Sequence, residues 1–242
     1  MTSSMSKPCF IYCFTKLLAS NDEHYNISLE VLNKSVNFLS GKYPYKIFTD
    51  SITADDIKSF SQYIYTVDTS EFKFLDDFKI SLLPKLQDNE VLIDPDVLIY
   101  KELKVNLDAD LIFDYKDKVY QKWYSDGIAN LKGTLIYDKI NSIDKLPFIP
   151  NIGFLKINNK RLLQDYTDLY YQYREDILDK HTDNYRGFSI ILGQYLLGIL
   201  LYEGNYSYIS NRENNSGEVY VHLGGPQKYE KYKKYKKNKT LI

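Results

Sequence analysis

Short apolar runs bounded by turn residues alternate along the chain with stretches in which apolar residues recur every three or four positions. That is the pattern of strands interleaved with helices. Phe10 to Phe14 predicts a first strand. Ile27, Val31, Val36 and Leu39 then share a helix face that Gly41 and Pro44 bring to an end. Tyr45 to Thr49 reads as a strand, Asp55 to Phe60 as a short helix and Tyr63 to Val67 as another strand. Leu75, Phe78, Leu82 and Leu86 set a helical period over Glu71 to Leu86, before a strand at Glu90 to Ile93. Further along, strands are predicted at Leu111 to Phe113, Gly133 to Tyr137 and Ile152 to Ile157. Helices follow at Arg161 to Lys180 and Phe188 to Tyr202, then strands at Tyr206 to Ser210 and Val219 to Leu223. Four β units in the first 95 or so residues predict an α/β fold with a mostly parallel central sheet flanked by helices.

With 242 residues, 44% of them hydrophobic, the chain can bury one core, and residues 1–227 are expected to form a single domain. A basic Lys/Tyr-rich C-terminal tail, 228–242, follows. The formal charge of -1 hides an asymmetry: Lys228 to Lys239 carries a net +6, leaving about -7 on the rest. A generally basic nucleic-acid binder is excluded, so any anion is met locally. Cys9 and Cys13 sit on the first apolar stretch, four apart, and read as reduced core residues of a cytoplasmic protein. Lys16 interrupts the N-terminal apolar run, which reads as a strand and not a signal peptide. The longest mostly apolar run, Ile190 to Tyr202, is too short to cross a bilayer.

Two segments carry candidate chemistry. In Val91-Leu92-Ile93-Asp94-Pro95-Asp96-Val97-Leu98-Ile99 an apolar strand runs directly into two carboxylates. This places acids at the carboxyl end of a buried strand, where open α/β sheets bind ligands. Paired carboxylates repel and lose solvation there, and a hard divalent cation such as Mg2+ or Mn2+ offsets both, holding a diphosphate in turn. The alternative is a solvated Asp-Pro-Asp turn. A rival pair, Asp108 and Asp110, precedes its apolar run and would sit at the wrong end of a strand. The second segment runs from Val219 through His222, Gly224 and Gly225 to Lys228. Its imidazole could ligate a metal, its glycines let backbone approach phosphate, and its lysine adds positive charge. A plain Gly-Gly-Pro turn leading into a basic tail is the alternative.

Together these segments resemble the GT-A fold (nucleotide-diphospho-sugar transferase) glycosyltransferases, most closely glycosyltransferase family 8, which includes glycogenin and bacterial lipopolysaccharide galactosyltransferases. Four matches fall in the family's order and span nearly the whole chain. Ser20 to Tyr25 resembles the nucleotide-binding segment after the first strand. Phe78-Lys79-Ile80 precedes the Asp-x-Asp of Asp94 and Asp96. Asn151-Ile152-Gly153-Phe154 is similar to the family's Asn-x-Gly-Val strand, and His222 to Lys228 to its His-x-x-Gly-x-x-Lys. The resemblance implies a metal-dependent glycosyltransferase that takes a nucleotide-diphosphate sugar, a UDP-sugar being favoured, and works with retention. Asp94, Asp96 and His222 would coordinate Mn2+ (or Mg2+). Lys228 and the backbone at Gly225 would hold the diphosphate, and Asn21 or Tyr25 the base and ribose. Asn151, Gly153 and Asp94 would contact the donor sugar. Catalytic roles would fall to Lys79, Gln194 and Lys228. Gly193 stands where the family carries an acid before Gln194, a departure that motivates an alternative: a catalytically lapsed GT-A domain acting as a nucleotide-sugar-binding or scaffold protein.

A sugar-nucleotide-forming nucleotidyltransferase would need a glycine-rich basic loop after the first strand, and Phe14-Thr15-Lys16-Leu17-Leu18 contains no glycine. Tyr166, Tyr170, Tyr171 and Tyr173 read as helix packing with surface hydroxyls, Trp123 and Tyr124 as candidate faces for an acceptor sugar, and His24 and His181 as surface residues. The acceptor, whether glycan, lipid-linked or protein, is left open. The tail reads first as a solvated end and second as a peripheral contact with an anionic membrane; no nucleic-acid partner is expected.

Overall fold

The computed structural model describes residues 7–16, 21–119, 122–143, 145–181, 185–215, 219–223 and 228–237. The first half runs β1 (Cys9–Cys13), α1 (Asp22–Leu39), β2 (Tyr45–Thr49), α2 (Ser51–Ile57), β3 (Ile64–Thr66), α3 (Asp77–Leu82), β4 (Glu90–Ile93) and β5 (Val97–Ile99). Then come β6 (Leu111–Phe113), β7 (Lys116–Asp117), α4 (Lys122–Asn130), α5 (Leu135–Asn141), β8 (Ile149–Pro150), β9 (Phe154–Ile157) and α6 (Lys160–Lys180). The chain continues through α7 (Tyr185–Ile190), a π-helical turn Ile191–Tyr195, α8 (Leu196–Glu203), β10 (Tyr208–Ser210), α9 (Asn211–Asn214), β11 (Tyr220–His222) and α10 (Lys228–Lys237).

A seven-stranded sheet in the order β10-β6-β9-β4-β1-β2-β3 forms the centre. Its neighbouring pairs are parallel except those made by β9, which runs antiparallel to both β4 and β6. The expected mostly parallel α/β sheet is therefore present. Along β1 successive side chains enter opposite layers: Ile11 joins the core under α6 and α8, whereas Phe10 and Tyr12 join the core under α1. Burial on both faces is why the central strands read as unbroken apolar runs.

Local chemistry sets the element ends. Asn21 caps α1 by accepting the His24 amide at 2.8 Å, and Asp50 starts α2 by accepting the Ile52 and Thr53 amides at 2.8 and 2.9 Å. That cap starts α2 at Ser51, four residues before the expected Asp55. The predicted strand at Gly133 to Tyr137 is a helix instead. Gly133 turns the chain at φ 90°, Thr134 accepts the Tyr137 amide, and Ile136 faces the core as the first contact of α5; a capping residue outweighs local β propensity here. The helix expected over Phe188 to Tyr202 is interrupted by the π-helical turn.

Asp77 fastens α3 to α6. Its buried carboxylate accepts the Lys73 and Phe74 amides at 2.7 and 2.9 Å, the Tyr170 hydroxyl at 2.9 Å and Arg174 Nε at 3.0 Å. Tyr166, Tyr170 and Tyr173 pack inward as expected, whereas Tyr171 is exposed, and the Tyr166 and Tyr170 hydroxyls are buried and bonded, not at the surface. The tail also departs from a bare solvated end. Lys228–Lys237 is helical, and Tyr232 is buried against Ile27, Val31, Leu98 and Leu223. Among the described residues no helix is long and apolar enough to cross a membrane.

Asp77→Ala removes the acceptor of two backbone amides and of the Tyr170 hydroxyl and the carboxylate beside Arg174, which keeps Glu175 and the Glu71 carbonyl; it is expected to lower unfolding stability by about 3 kcal/mol. Denaturant titration checks this; a change under about 1 kcal/mol would show that α3 is held by apolar packing alone.

Candidate active site

The parallel strands bring their carboxyl ends to one edge of the sheet, and β9, running the other way, brings its start there too. Asp94 follows β4, Asp114 follows β6 and Gly153 precedes β9. The β5–β11 ribbon completes the edge. Its antiparallel register sets His222 opposite Val97, next in sequence to Asp96. The Leu223 amide donates to the Asp96 carbonyl at 3.0 Å and locks that register. Asp94, Asp96 and His222 thus converge across 126 residues of sequence, each offering a ligand atom within 4.8 Å of the others.

The imidazole is oriented from behind. Its Nδ1 lies 2.7 Å from Asp114 Oδ2, while Nε2 faces Asp96 Oδ1 at 3.4 Å and Asp94 Oδ2 at 3.8 Å. Asp114 is fully buried and also accepts the Tyr220 hydroxyl. Burial alone would lower the His222 pKa, but the Asp96 and Asp114 carboxylates outweigh it and push it up to about 10. Two carboxylate oxygens and an imidazole nitrogen, with the ring oriented by a carboxylate partner, could hold a divalent cation. Gly153 is required by the packing: a Cβ there would lie 2.5 Å from the His222 ring and 2.8 Å from Asp114. Its carbonyl accepts the Asp94 amide at 2.8 Å. Asn151 holds the segment by accepting the Gly153 amide at 3.0 Å and donating to Asp117 at 3.3 Å.

Lys79 reaches in from α3. Its ammonium lies 2.6 Å from Asp94 Oδ1, 3.3 Å from the Ile152 carbonyl and 3.7 Å from Asp76 Oδ1. Burial opposes its charge, yet Asp94 and Asp76 raise its pKa above the usual lysine range. Asp76 is itself buried, and that burial, against the pull of Lys79, lifts its carboxyl to about 6. Gln194 lies on the π-helical turn, where Tyr124 donates a 2.6 Å bond to its Oε1. Tyr124 is fully buried, so it supports Gln194 and presents no face to an acceptor; the Trp123 side chain lies outside the described residues.

Of the nucleotide-side candidates, Asn21 is exposed but serves as the α1 cap. Tyr25 is buried, stacked on Phe14 at 5.2 Å between ring centroids, with its hydroxyl 2.5 Å from Asp56. Gly225 falls outside the described residues, and of Lys228 only its place at the start of α10 is described. The rival Asp110 sits at the amino end of β6, held by Ser207 and Asn159, away from the cluster. His24 and His181 are half-buried and stand apart from it. Sequence reasoning passed over Asp114, although it follows the apolar triplet Leu111–Phe113 just as Asp94 follows β4. It also passed over Asp76, which carries no sequence signal.

The sequence matches no protein-family model and no curated protein. Similar solved structures include the galactosyltransferase LgtC in complex with donor and acceptor sugar analogs, at 15% identity over 77% of this chain and 71% of that one, TM-score 0.43. The glycosyltransferase GlyE of Streptococcus pneumoniae TIGR4 in its apo form is 14% identical over 86% of this chain and 46% of that one, TM-score 0.44. The CTP:phosphocholine cytidylyltransferase LicC of Streptococcus pneumoniae is 11% identical over 94% and 98%, TM-score 0.52. This chain spans less than half of GlyE. At these identities the likeness is one of fold alone, an α/β architecture shared with LicC.

Two outcomes test the site. Asp114→Asn keeps the shape behind His222 but loses the charge that orients it, and is expected to weaken Mn2+ binding roughly 10- to 100-fold in calorimetry; unchanged affinity would remove Asp114 from the site. The raised Asp76 pKa means this group favours folding below about pH 4 and loses that contribution as pH climbs to about 6. Asp76→Asn is therefore expected to melt higher than the metal-free native chain above pH 6. The gap, at most about 3 kcal/mol, should close toward pH 4, and a gap independent of pH would contradict the assignment.

Proposed function

We propose that this protein is a metal-dependent glycosyltransferase that moves a sugar from a nucleotide-diphosphate sugar, a UDP-sugar in preference, to a glycan, lipid-linked or protein acceptor. The observation that carries this reading is the convergence of Asp94, Asp96 and His222 at the ligand-binding edge of the sheet. A divalent cation on those three residues would supply fixed positive charge where the departing diphosphate becomes more negative. Asp114 holds the His222 ring so that Nε2 faces Asp94 and Asp96, where a bound cation would take the place of the Nε2 proton. Lys79, drawn in by Asp94, stands where a donor's sugar or phosphate oxygens would meet it. Tyr124 fixes Gln194 with its amide oxygen turned back, leaving the amide NH2 as the end for substrate. On the family resemblance, Gly225 and Lys228 would grip the diphosphate, Asn21 the nucleoside side, and Asn151 and Gly153 the sugar side. Asp94 and Asp96 would be engaged by the cation and so would not serve as nucleophiles; same-face attack with retention is what the family resemblance implies.

A second reading, nucleotidyl transfer, is favoured by one observation, the superposition on LicC over nearly the whole of both chains. The two readings part at the scissile bond. A glycosyltransferase given nucleotide sugars with Mn2+ releases nucleoside diphosphate, whereas a nucleotidyltransferase given a nucleoside triphosphate and a phosphorylated substrate releases pyrophosphate. The expected result is nucleoside diphosphate release that stops on adding a chelator and falls by at least about 100-fold in Asp96→Ala and His222→Ala. Turnover undiminished in both variants, or pyrophosphate release in its place, would overturn the proposal. Nucleotide binding without donor breakdown would identify the lapsed scaffold form.

A further inference from the structure

Asp76 stands at the N-cap of α3, where an aspartate ordinarily accepts the amides of the first turn, yet its side chain makes no capping bond. Asp77 takes the neighbouring amides of Lys73 and Phe74 instead. The Asp76 carboxylate points the other way, over Gly193 in the π-helical turn. A Cβ built on Gly193 would lie 2.4 Å from Asp76 Oδ2, closer than any real contact. Carboxylate and side chain at 193 therefore compete for one volume, and here the carboxylate holds it. Ser189, one turn earlier, accepts the Asp76 amide at 3.0 Å and steadies the carboxylate as well. Lys79 then links Asp76 to Asp94, 3.7 Å on one side and 2.6 Å on the other. A buried carboxylate that caps no helix, lies over a π-turn next to Gln194 and shares Lys79 with Asp94 is placed for a ligand more than for the fold.

We propose that Asp76, seated over Gly193, selects the donor by accepting a hydrogen bond from a hydroxyl of the transferred hexose beside Lys79. The inference rests on the glycosyl-transfer reading and goes beyond it by assigning sugar discrimination to α3. Gly193 is then no lesion: its missing side chain is the seat of a carboxylate delivered from 117 residues away.

The test measures kcat/KM for hydrolysis over a panel of UDP- and GDP-hexoses with Mn2+, together with the affinity for the corresponding free nucleotide. Asp76→Asn is expected to lose roughly 10- to 100-fold in kcat/KM on the best donor and to narrow the spread between hexose epimers, with nucleotide affinity unchanged. Gly193→Ala leaves Asp76 in the chain but fills its seat, and is expected to reproduce the loss. The exchange Asp76→Gly with Gly193→Asp returns a carboxylate to the same volume and is expected to recover discrimination. Native epimer ratios in both single variants would overturn the assignment while leaving glycosyl transfer standing. A parallel fall in nucleotide affinity would reduce Asp76 to a structural prop and overturn it too. If the native chain breaks down no donor, the glycosyl-transfer reading itself falls, and the inference with it.

Discussion

Four carboxylates, those of Asp76, Asp94, Asp96 and Asp114, are crowded at one edge of a sheet with a lysine and an imidazole among them. In a largely buried site such a cluster is unfavourable unless positive charge is supplied, because each carboxylate loses hydration and repels the next. The fold provides part of the compensation. Lys79 lies between Asp76 and Asp94, and His222 lies between Asp114 and the Asp94–Asp96 pair. The residual demand for cationic charge is what would let the cluster hold a divalent cation, and on the proposed function that cation would receive a diphosphate.

Rigid elements keep this charge distribution in place. The β5–β11 register determines which side chain meets Asp96, and a slip of one residue would turn His222 to the other face of the ribbon. Gly153 leaves room for the imidazole, and its carbonyl holds the Asp94 backbone. Behind the cluster, Asp77 and Arg174 tie α3 to α6, so that Lys79 and Asp76 arrive from a helix that is itself anchored. Adjacent residues differ: Asp77 is satisfied by four donors and ties α3 to α6, whereas Asp76 is buried at a cost to stability.

The glycine before Gln194 reads differently with the tertiary contacts in view. Against the family resemblance, in one dimension, it is a missing acid. In three dimensions its neighbour in space carries the acid, and the two positions form a single unit that admits one carboxylate.

Read alone, the sequence carries the α/β class and most strand positions, because strand burial on two faces and helical periodicity are local or short-range signals; it also marks Asp94 and Asp96 as acids placed directly after an apolar strand, whereas His222 joins them there only through the family resemblance. It misjudged Gly133 to Tyr137, where the Thr134 cap outweighed a β-prone run, and it took the first residues after 227 for a free end although Tyr232 packs on α1. Only the tertiary structure decided that Asp114 orients His222, that Gly153 is a packing necessity and that Asp76 occupies the seat over Gly193. Those relations join residues brought together by sheet order and helix packing, and a space left vacant by one residue can be read only when the atom that fills it is seen.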